Sequence, residues 1–296
     1  MPLTEGLMEL GLPFCENEPM KGHTTFQIGG PALVITPRSV GELGAALAAC
    51  RAAGEEPFVM GRGSNILVSD VGIHRPVILL GEDFSTVTRR GNDLICQAGA
   101  LLTKVCRRAL EEHLGGLEWA YGIPGTVGGG VYMNAGAYGG EMKNIVTEVT
   151  YIDDNGRLKT ARGAELDFGY RHSRFEGKND CIVEAVLHLS PCLPEEIKAA
   201  MEDYMGRRRD KQPLEFPSAG STFKRPEGNY ASALIDQCGL KGFSVGGAAV
   251  SEKHAGFVIN RGGATAADVL ALVAAVQKKV KAETGYQLDC EIKMIE

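Results

Sequence analysis

The residues best suited to chemistry lie at positions 220–226, which read Gly-Ser-Thr-Phe-Lys-Arg-Pro. Ser221 is a hydroxyl that follows a glycine and precedes two cations, Lys224 and Arg225. A serine hydroxyl is a weak acid, so it protonates carbon only where a nearby cation or water stabilises the alkoxide or relays the proton. Ser221 is therefore a candidate proton donor, and the alternative is a turn or N-cap hydroxyl.

Two glycine-rich loops upstream of Ser221 have the composition of an anion-binding site. The first loop spans 61–65, the second spans 122–129, and a segment of small residues follows at 133–140. Glycine has no Cβ and readily takes positive φ, so backbone amides in such loops can reach phosphate oxygens. The first loop lacks the third glycine and the long helix of a Rossmann fingerprint, and alone it is equally typical of a strand-to-strand turn. Together, the loops and the small-residue segment favour binding of a flavin or a nucleotide.

Apolar residues at helical spacing predict the helices that position these segments. They indicate helices over 40–50, 101–110 and 197–205, the second ending near 115–116. A fourth helix follows Thr265, which starts a capping-box-like sequence, and Gly285 is its expected end. The last ninety or so residues therefore read as a compact α/β unit.

Short apolar runs predict strands at 57–60, 66–68 and 77–80. Asp-Asp-Asn-Gly between two further runs predicts a hairpin over 149–160. At the end of the chain, apolar residues alternate over 288–294, which predicts a strand with Glu291 on the opposite face from its apolar residues.

The bulk composition is typical of a globular protein of two domains. The chain has 296 residues, 44% hydrophobic and 23% charged, and we place a domain division at residues 205 and 206. A net charge of −6 argues against a nucleic-acid partner. No apolar run approaches the roughly 20 residues of a membrane span. The eight cysteines form no Cys-x-x-Cys pair, so we expect buried thiols, no metal site and a cytoplasmic location.

Ordered segments across most of the chain resemble the UDP-N-acetylenolpyruvoylglucosamine reductase family. Tyr170-Arg171-x-Ser and Gly220-Ser221-x-Phe-Lys are the most diagnostic of them. The segments that resemble the family are 24–31, 61–70, 122–129, 168–173, 220–226, 234–242, 246–250 and 288–291.

The resemblance implies an α+β fold in two parts. An FAD-binding domain of the p-cresol methylhydroxylase type, made of two subdomains, would cover 1–205, and an α/β substrate-binding domain would cover 206–296. FAD would be held noncovalently, which agrees with the lack of a histidine in either glycine loop. The longer insertion with a substrate-covering tyrosine, present in one branch of the family, is missing, so the chain resembles the shorter type. The residues that the resemblance assigns to FAD are Gly61, Arg62, Gly63, Ser64, Asn65, Gly122, Ile123, Pro124, Gly125, Thr126, Gly128, Gly129, Ala135 and Gly136.

The implied reaction is the NADPH-dependent reduction of UDP-N-acetylglucosamine enolpyruvate to UDP-N-acetylmuramate for peptidoglycan, and hence for cell-wall biogenesis, cell shape, the cell cycle and division. Arg171 would bind the charge that develops on the substrate carboxylate, and Ser221 would protonate the adjacent carbon. Glu291 could hydrogen-bond the same carboxylate only if it is protonated or shares a proton with it. The residues expected to contact substrate are Tyr170, Lys211, Lys224, Arg225 and His254, with Lys211 and Arg225 assigned to the diphosphate.

Other interpretations of the same residues stay open at this point. Arg171 could form a surface ion pair, and Glu291 could be a solvated strand residue. The chain could be a flavin oxidase of a sugar or alcohol, or a flavin- or UDP-sugar-binding protein without catalysis. Under the favoured interpretation its partners are small molecules, without nucleic acid or membrane, and it is a monomer.

Overall fold

The structure, a computed structural model, describes residues 2–296. The helices in these residues are α1 (Leu3–Glu9), α2 (Val40–Ala52), α3 (Leu102–Glu111), α4 (Val127–Tyr132), α5 (Pro194–Lys211), α6 (Ala231–Gln237) and α7 (Ala266–Thr284). The strands are β1 (Phe14–Pro19), β2 (Pro31–Ile35), β3 (Phe58–Met60), β4 (Ile66–Val68), β5 (Val77–Leu79), β6 (Val87–Arg90), β7 (Asp93–Gln97), β8 (Leu114–Gly115), β9 (Gly136–Ala137), β10 (Gly140–Glu141), β11 (Val146–Ile152), β12 (Leu158–Arg162), β13 (Cys181–His188), β14 (Ser190–Pro191), β15 (Ser218–Ser221), β16 (Ser244–Val245), β17 (Ala248–Val250), β18 (Phe257–Asn260) and β19 (Lys293–Ile295).

The chain forms two compact units, each assembled from three segments. The first unit comprises the residues up to Cys15 together with Val34–Arg62 and Pro76–Arg207, and the second comprises Glu16–Leu33, Gly63–Arg75 and Arg208–Glu296. Two early segments therefore cluster with the C-terminal residues. The sequence-based division at residues 205 and 206 stays a prediction.

The predicted helices are present, and their ends have local causes. The Ser39 hydroxyl caps α2 by accepting from the Glu42 amide at 3.1 Å. Thr265 and Asp268 form the predicted capping box at the start of α7, which ends at Gly285 with φ +78°.

Two helices differ from the prediction at their C-terminal ends. Helix α3 ends at Glu111, before the expected end near 115–116, because His113 takes the left-handed φ of +58°, which breaks the helix. Helix α5 continues through the arginine run at 207–209 to Lys211.

In the first unit, an antiparallel sheet has the strand order β12-β11-β13-β7-β6. The predicted hairpin over 149–160 forms one edge, with Thr150 opposite Thr160. Strands β3 and β5 run parallel in a separate sheet, in which Val34 and Ile35, at the end of β2, also pair in parallel with β5. The strands predicted at 57–60 and 77–80 are β3 and β5, so both predictions are confirmed.

In the second unit, an antiparallel sheet has the order β15-β18-β17-β16, and α7 packs against β16 and β17. One buried apolar cluster joins this sheet and α7 to the early segments and includes Phe26, Leu67, Val258 and Leu272. The third predicted strand, at 66–68, is β4, and it pairs in parallel with β19.

The predicted closing strand over 288–294 is wrong in length and in its alternation. Only Lys293–Ile295 forms a strand, and Cys290 is exposed although Leu288 is fully buried. The backbone of 289–291 instead follows the Thr222–Lys224 segment, through hydrogen bonds from Glu291 N to Thr222 O and from Lys224 N to Asp289 O. Hydrogen bonding to the distant Thr222–Lys224 segment therefore decides the backbone conformation here, and the alternation of apolar residues in the sequence does not.

All eight cysteines are thiols outside any disulfide bond, and five of them are buried. Burial raises the pKa of Cys96 and of Cys181 to about 12, which keeps both thiols protonated and inert. Cys15 and Cys290 are exposed, so the expectation of buried thiols holds for most of the set and not for these two. No helix within residues 2–296 combines the length and the apolar character that crossing a bilayer requires.

Candidate active site

The two glycine loops contact each other within the first unit. Gly61 lies so close to Thr126 that a Cβ built on the glycine would overlap Thr126 Oγ1 and would lie 2.8 Å from its Cγ2. A Cβ on Gly128 would lie 2.9 Å from the Cβ of Ala98. Real Cβ atoms do not approach other atoms so closely, so both glycines are required by close packing of the loop backbone against Thr126 and Ala98. The sequence analysis offered phosphate approach, or a strand-to-strand turn for the first loop, as the reason for these glycines and did not predict this packing.

Backbone hydrogen bonds hold the second loop in place. Val127 N donates to Ala100 O and Gly128 N to Ala98 O, each at 2.8 Å, and Leu102 N donates to Gly125 O at 3.0 Å. The Thr126 hydroxyl accepts from Gly129 N at 3.4 Å, at the start of α4. Gly129 is exposed, and a Cβ on it would meet only Thr126 Oγ1, at 3.6 Å.

These loops fit the diphosphate of a flavin nucleotide. Neither 61–65 nor 122–129 contains an acidic side chain, and Arg62 adds an exposed cation. A doubly charged diphosphate would therefore meet amides and a guanidinium rather than carboxylates.

The chain passes from the first unit to the second within the first loop, between Arg62 and Gly63. In the second unit, Gly63 O accepts from Thr25 N at 3.3 Å, and Asn65 O accepts from Lys293 N at 3.0 Å. The Asn65 side chain donates from Nδ2 to Glu291 O at 3.3 Å. The end of the first loop is thus held beside Glu291.

Arg171 lies at the tip of a two-residue turn in the first unit. Gly169 and His172 exchange two backbone hydrogen bonds across the turn, of 3.0 and 3.3 Å, and Arg171 takes φ +54°. A left-handed arginine costs roughly 1–2 kcal/mol per residue, so the surroundings must impose this conformation. The Arg171 guanidinium lies 5.5 Å from the ring centre of Tyr170, which is exposed.

Side chains next to the turn hold its two ends. Ser173, which is fully buried, donates from its hydroxyl to Tyr132 O at 2.7 Å. The His172 ring contacts the carboxylates of Glu176 at 2.8 Å and Asp167 at 3.5 Å. The hydrogen bond to Glu176, aided by Asp167, raises the pKa of His172 above its ordinary value.

Ser221 and Glu291 lie on neighbouring backbone segments of the second unit. Thr222, which follows Ser221 in the chain and is 1% exposed, links the two segments, because its carbonyl accepts from Glu291 N at 2.8 Å. Thr222 also donates its amide to Gly256 O at 2.8 Å and accepts from Val258 N at its hydroxyl at 3.0 Å. Ser221 itself is exposed and follows Gly220, whose φ is +78°. The sequence analysis missed Thr222, because its role depends on partners far along the chain.

The predicted substrate contact His254 lines a cavity of the second unit, and Arg225 contacts Tyr230, another residue of its wall. The cavity has a volume of about 370 Å³, and its walls include Tyr230, Lys241, Lys253 and His254. The guanidinium of Arg225 stacks over the Tyr230 ring, 4.0 Å from its centre. The sequence analysis missed the two lysines and Tyr230, although Lys241 lies in a segment that resembles the family.

The His254 ring, in the wall of this cavity, has a defined protonation state. Burial lowers the pKa of His254, so the ring is neutral at pH 7. Its Nδ1 accepts from Gly256 N at 3.2 Å, which leaves the proton on Nε2. The cavity wall therefore combines a neutral donor with two lysines, one of which, Lys241, pairs with the Asp236 carboxylate of the same wall at 2.7 Å.

The remaining predicted substrate contacts are exposed. Lys211 ends α5, where the neighbouring Arg209 carbonyl accepts from Lys253 Nζ at 2.6 Å. Lys224 donates its backbone amide to Asp289 O at 2.8 Å. In the described chain, residues 2–296, no group of three or more His, Cys, Asp or Glu side chains is arranged to hold a metal ion.

Two family models match separate parts of the chain. Residues 31–162 match an FAD binding domain, and residues 212–295 match the C-terminal domain of UDP-N-acetylenolpyruvoylglucosamine reductase. A berberine bridge enzyme variant shares the fold over 65% of this chain and 44% of its own, with TM-score 0.51 and 17% identity. The predicted α+β class with an FAD-binding domain of the p-cresol methylhydroxylase type is confirmed.

Relatives of known name cover nearly the whole chain. A UDP-N-acetylenolpyruvoylglucosamine reductase of Clostridium perfringens is 48% identical over 94% of this chain and 92% of its own length. That of Syntrophomonas wolfei is 46% identical over 94% of each. The crystal structure of the Thermus caldophilus enzyme matches 96% of this chain and 100% of its own, with TM-score 0.84 and 35% identity. The chain therefore belongs to the UDP-N-acetylenolpyruvoylglucosamine reductase family.

Proposed function

We propose that this protein reduces the enolpyruvyl group of UDP-N-acetylglucosamine enolpyruvate to give UDP-N-acetylmuramate, with FAD as cofactor and NADPH as reductant. The proposal includes a cytoplasmic location, where the product would serve peptidoglycan synthesis and thereby cell-wall biogenesis, cell shape and division. It also includes a monomeric protein, with noncovalent FAD and no substrate-covering insertion.

The observation that carries the proposal is the link between Ser221 and Glu291 in the second unit. Glu291 N donates to the carbonyl of Thr222, the residue after Ser221, at 2.8 Å. The Asn65 amide donates to Glu291 O, which adds the end of the first glycine loop to the same group. These bonds join segments far apart in the chain that carry the proposed proton donor, the proposed carboxyl group and the end of the proposed phosphate-binding loop, which supports the proposal.

The loops 61–65 and 122–129, with Ala135 and Gly136, would hold FAD. When bound, FAD accepts a hydride from a nicotinamide and passes it to an alkene. The amides of both loops and the Arg62 guanidinium would neutralise its diphosphate, and the contact between Gly61 and Thr126 sets the spacing of the loops.

The side chains of the proposed site act on the charge and the proton of the reaction. Reduction adds a hydride to the terminal alkene carbon, and the alkene electron pair moves onto the substrate carboxylate. The Arg171 guanidinium stays protonated and offers paired donors to that carboxylate, and Glu291, in its protonated form, donates to it as well. Ser221 then protonates the carbon that bears the ether oxygen. Because Ser221 is exposed, its alkoxide can regain a proton from solvent.

The cavity lined by Tyr230, Lys253 and His254 would bind the uridine diphosphate. Arg225 and Lys211 would contact the diphosphate, Tyr230 offers a ring face, and His254 offers an Nε2–H donor to an acceptor of the nucleotide or sugar. Binding energy from this distant part of the substrate can then fix the alkene for reaction.

Separate half-reactions under anaerobic conditions test the proposal. We expect NADPH to bleach the flavin of the purified protein, and UDP-N-acetylglucosamine enolpyruvate to restore its colour. Ser221→Ala should leave bleaching by NADPH intact and slow reoxidation by substrate by about 10²-fold or more, the usual contribution of a general acid. The matched control is Ser244→Ala, an exposed serine in β16 of the same unit, which should leave both steps unchanged.

Two results would contradict the proposal. Equal loss of both half-reactions in Ser221→Ala would show that this serine supports the flavin site rather than proton transfer. A protein that is colourless after gentle purification and binds no added FAD would end the flavin assignment altogether.

A further inference from the structure

Asn134 is the buried polar residue of the small-residue segment 133–140. It is 1% exposed, and its side chain has a hydrogen-bond partner for each donor. Nδ2 donates to Gly169 O at 2.8 Å and to Glu141 Oε2 at 2.9 Å, while Oδ1 accepts from Lys143 N at 2.9 Å. A primary amide has two donors, so no other neutral side chain of this size would satisfy the same set.

One of these bonds reaches the turn that presents Arg171. Gly169 O, which accepts from Asn134 Nδ2, is the same carbonyl that accepts from His172 N to close the turn. The other two bonds reach Glu141 and Lys143, which follow the small-residue segment. Asn134 therefore joins the end of that segment to the base of the Arg171 turn, all within the first unit.

The backbone conformations support a positioning role. Asn134 has φ +44° and Arg171 has φ +54°. Asparagine tolerates the left-handed region, whereas arginine does so only when its surroundings impose it. The hydrogen bond to Gly169 O lies two residues from Arg171 and fixes one end of a turn of only two residues, so it limits where the guanidinium can lie.

We propose that Asn134 is a positioning residue for Arg171 and, through Ala135 and Gly136, couples the flavin-side segment to the group that binds the substrate carboxylate. The inference rests on the role proposed above for Arg171. Both amide donors of Asn134 are bound by protein groups, so we assign it no direct contact with the substrate.

Asn134→Asp tests the proposal with little change of shape. The new carboxylate would replace both donors and would face the Glu141 carboxylate and the Gly169 carbonyl, two acceptors. We expect FAD content and bleaching by NADPH to stay within about twofold of wild type, while reoxidation by substrate slows between about tenfold and 10²-fold, the cost of a displacement near 1 Å. The matched control is Asn155→Asp, the same change at an exposed hairpin residue, which should have no effect.

A second variant guards against loss of the fold. If Asn134→Asp does not retain FAD, Asn134→Gly is measured in the same assay, since glycine keeps the positive φ without adding a charge. A variant that retains FAD and shows the selective slowing supports the proposal. Failure of both variants to retain FAD, equal loss of both half-reactions, or no loss in either would overturn it.

A double-variant cycle with Arg171→Lys separates this proposal from the function on which it rests. If Asn134 acts through Arg171, adding Asn134→Asp to Arg171→Lys should slow reoxidation further by no more than about twofold. Multiplied single effects would overturn the positioning role and leave the proposed function standing. Arg171→Lys with the wild-type rate would refute the role proposed for Arg171, and with it this inference.

Discussion

Gly61→Ala probes the contact between the two glycine loops. The new methyl group would overlap Thr126 Oγ1 and lie 2.8 Å from Thr126 Cγ2. Thr126 is buried at the start of α4 and accepts from Gly129 N, so its side chain has little room to turn away. Either the first loop or the start of α4 must therefore move.

The size of the effect follows from the cost of overpacking. Inserting a methyl group into a close-packed contact costs about 1–3 kcal/mol. Loss of a threonine cap adds about 1 kcal/mol if Thr126 is displaced from Gly129 N. We expect the free energy of unfolding of the apoprotein to fall by about 2 kcal/mol. Both loops would hold the FAD diphosphate, so a displaced loop must be returned to its place when FAD binds. If this costs the same 1–3 kcal/mol of binding free energy, FAD affinity should fall by roughly fivefold to 150-fold.

Denaturant unfolding and a fluorescence titration with FAD measure the two effects. The matched control is Gly44→Ala in α2, where a Cβ meets no atom within 4 Å. That control should leave FAD affinity unchanged and raise stability by about 0.5–1 kcal/mol, because alanine is the better helix former. A compensating variant adds Thr126→Ala to Gly61→Ala, which removes both Oγ1 and Cγ2.

The double variant decides whether the contact is the cause. We expect its loss of stability to be smaller than the sum of the two single losses by about 1 kcal/mol, since the nearest remaining atom, Thr126 Cβ, would lie 3.1 Å away. Strictly additive losses would refute the argument that the two loops are packed against each other. Wild-type affinity for FAD in Gly61→Ala would refute the argument that this contact sets the FAD-binding geometry of the loops.

Two further predictions concern the supports of the proposed catalytic residues. Thr222→Val should lower the free energy of unfolding by about 1–3 kcal/mol, because the buried Val258 amide loses its acceptor. Denaturant titration measures this loss. The control, Ser221→Ala, should stay within about 0.5 kcal/mol of wild type. Equal losses in the two variants would contradict this. Glu176 raises the pKa of His172, so the stability this pair contributes is full below the unfolded pKa and is lost as pH rises through the higher folded pKa. The difference in unfolding free energy between wild type and His172→Gln should therefore shrink from pH 5.5 to pH 8.5, and a constant difference would contradict the assignment.

Local signals in the sequence were sufficient for elements whose ends depend on neighbouring residues. Thr265 and Asp268 form their capping box across a single turn, and the hairpin over 149–160 is set by its own turn residues. In both cases the deciding hydrogen bonds join residues a few positions apart. The predicted length of the closing strand was wrong because its partner is not local. That strand pairs with β4, more than 200 positions earlier.

The family, the glycine loops and the residue types suited to the reaction could be read from the sequence, because short ordered motifs carry them. The folded chain was needed to find the contact of Gly61 with Thr126, the link that Thr222 makes between the Ser221 and Glu291 segments, and the hydrogen bond from Asn134 to the Arg171 turn. Each of these depends on two backbone segments brought together by folding. Steric fit and buried hydrogen bonds between distant segments leave no periodic pattern in the sequence, so they become visible only when the segments are in contact.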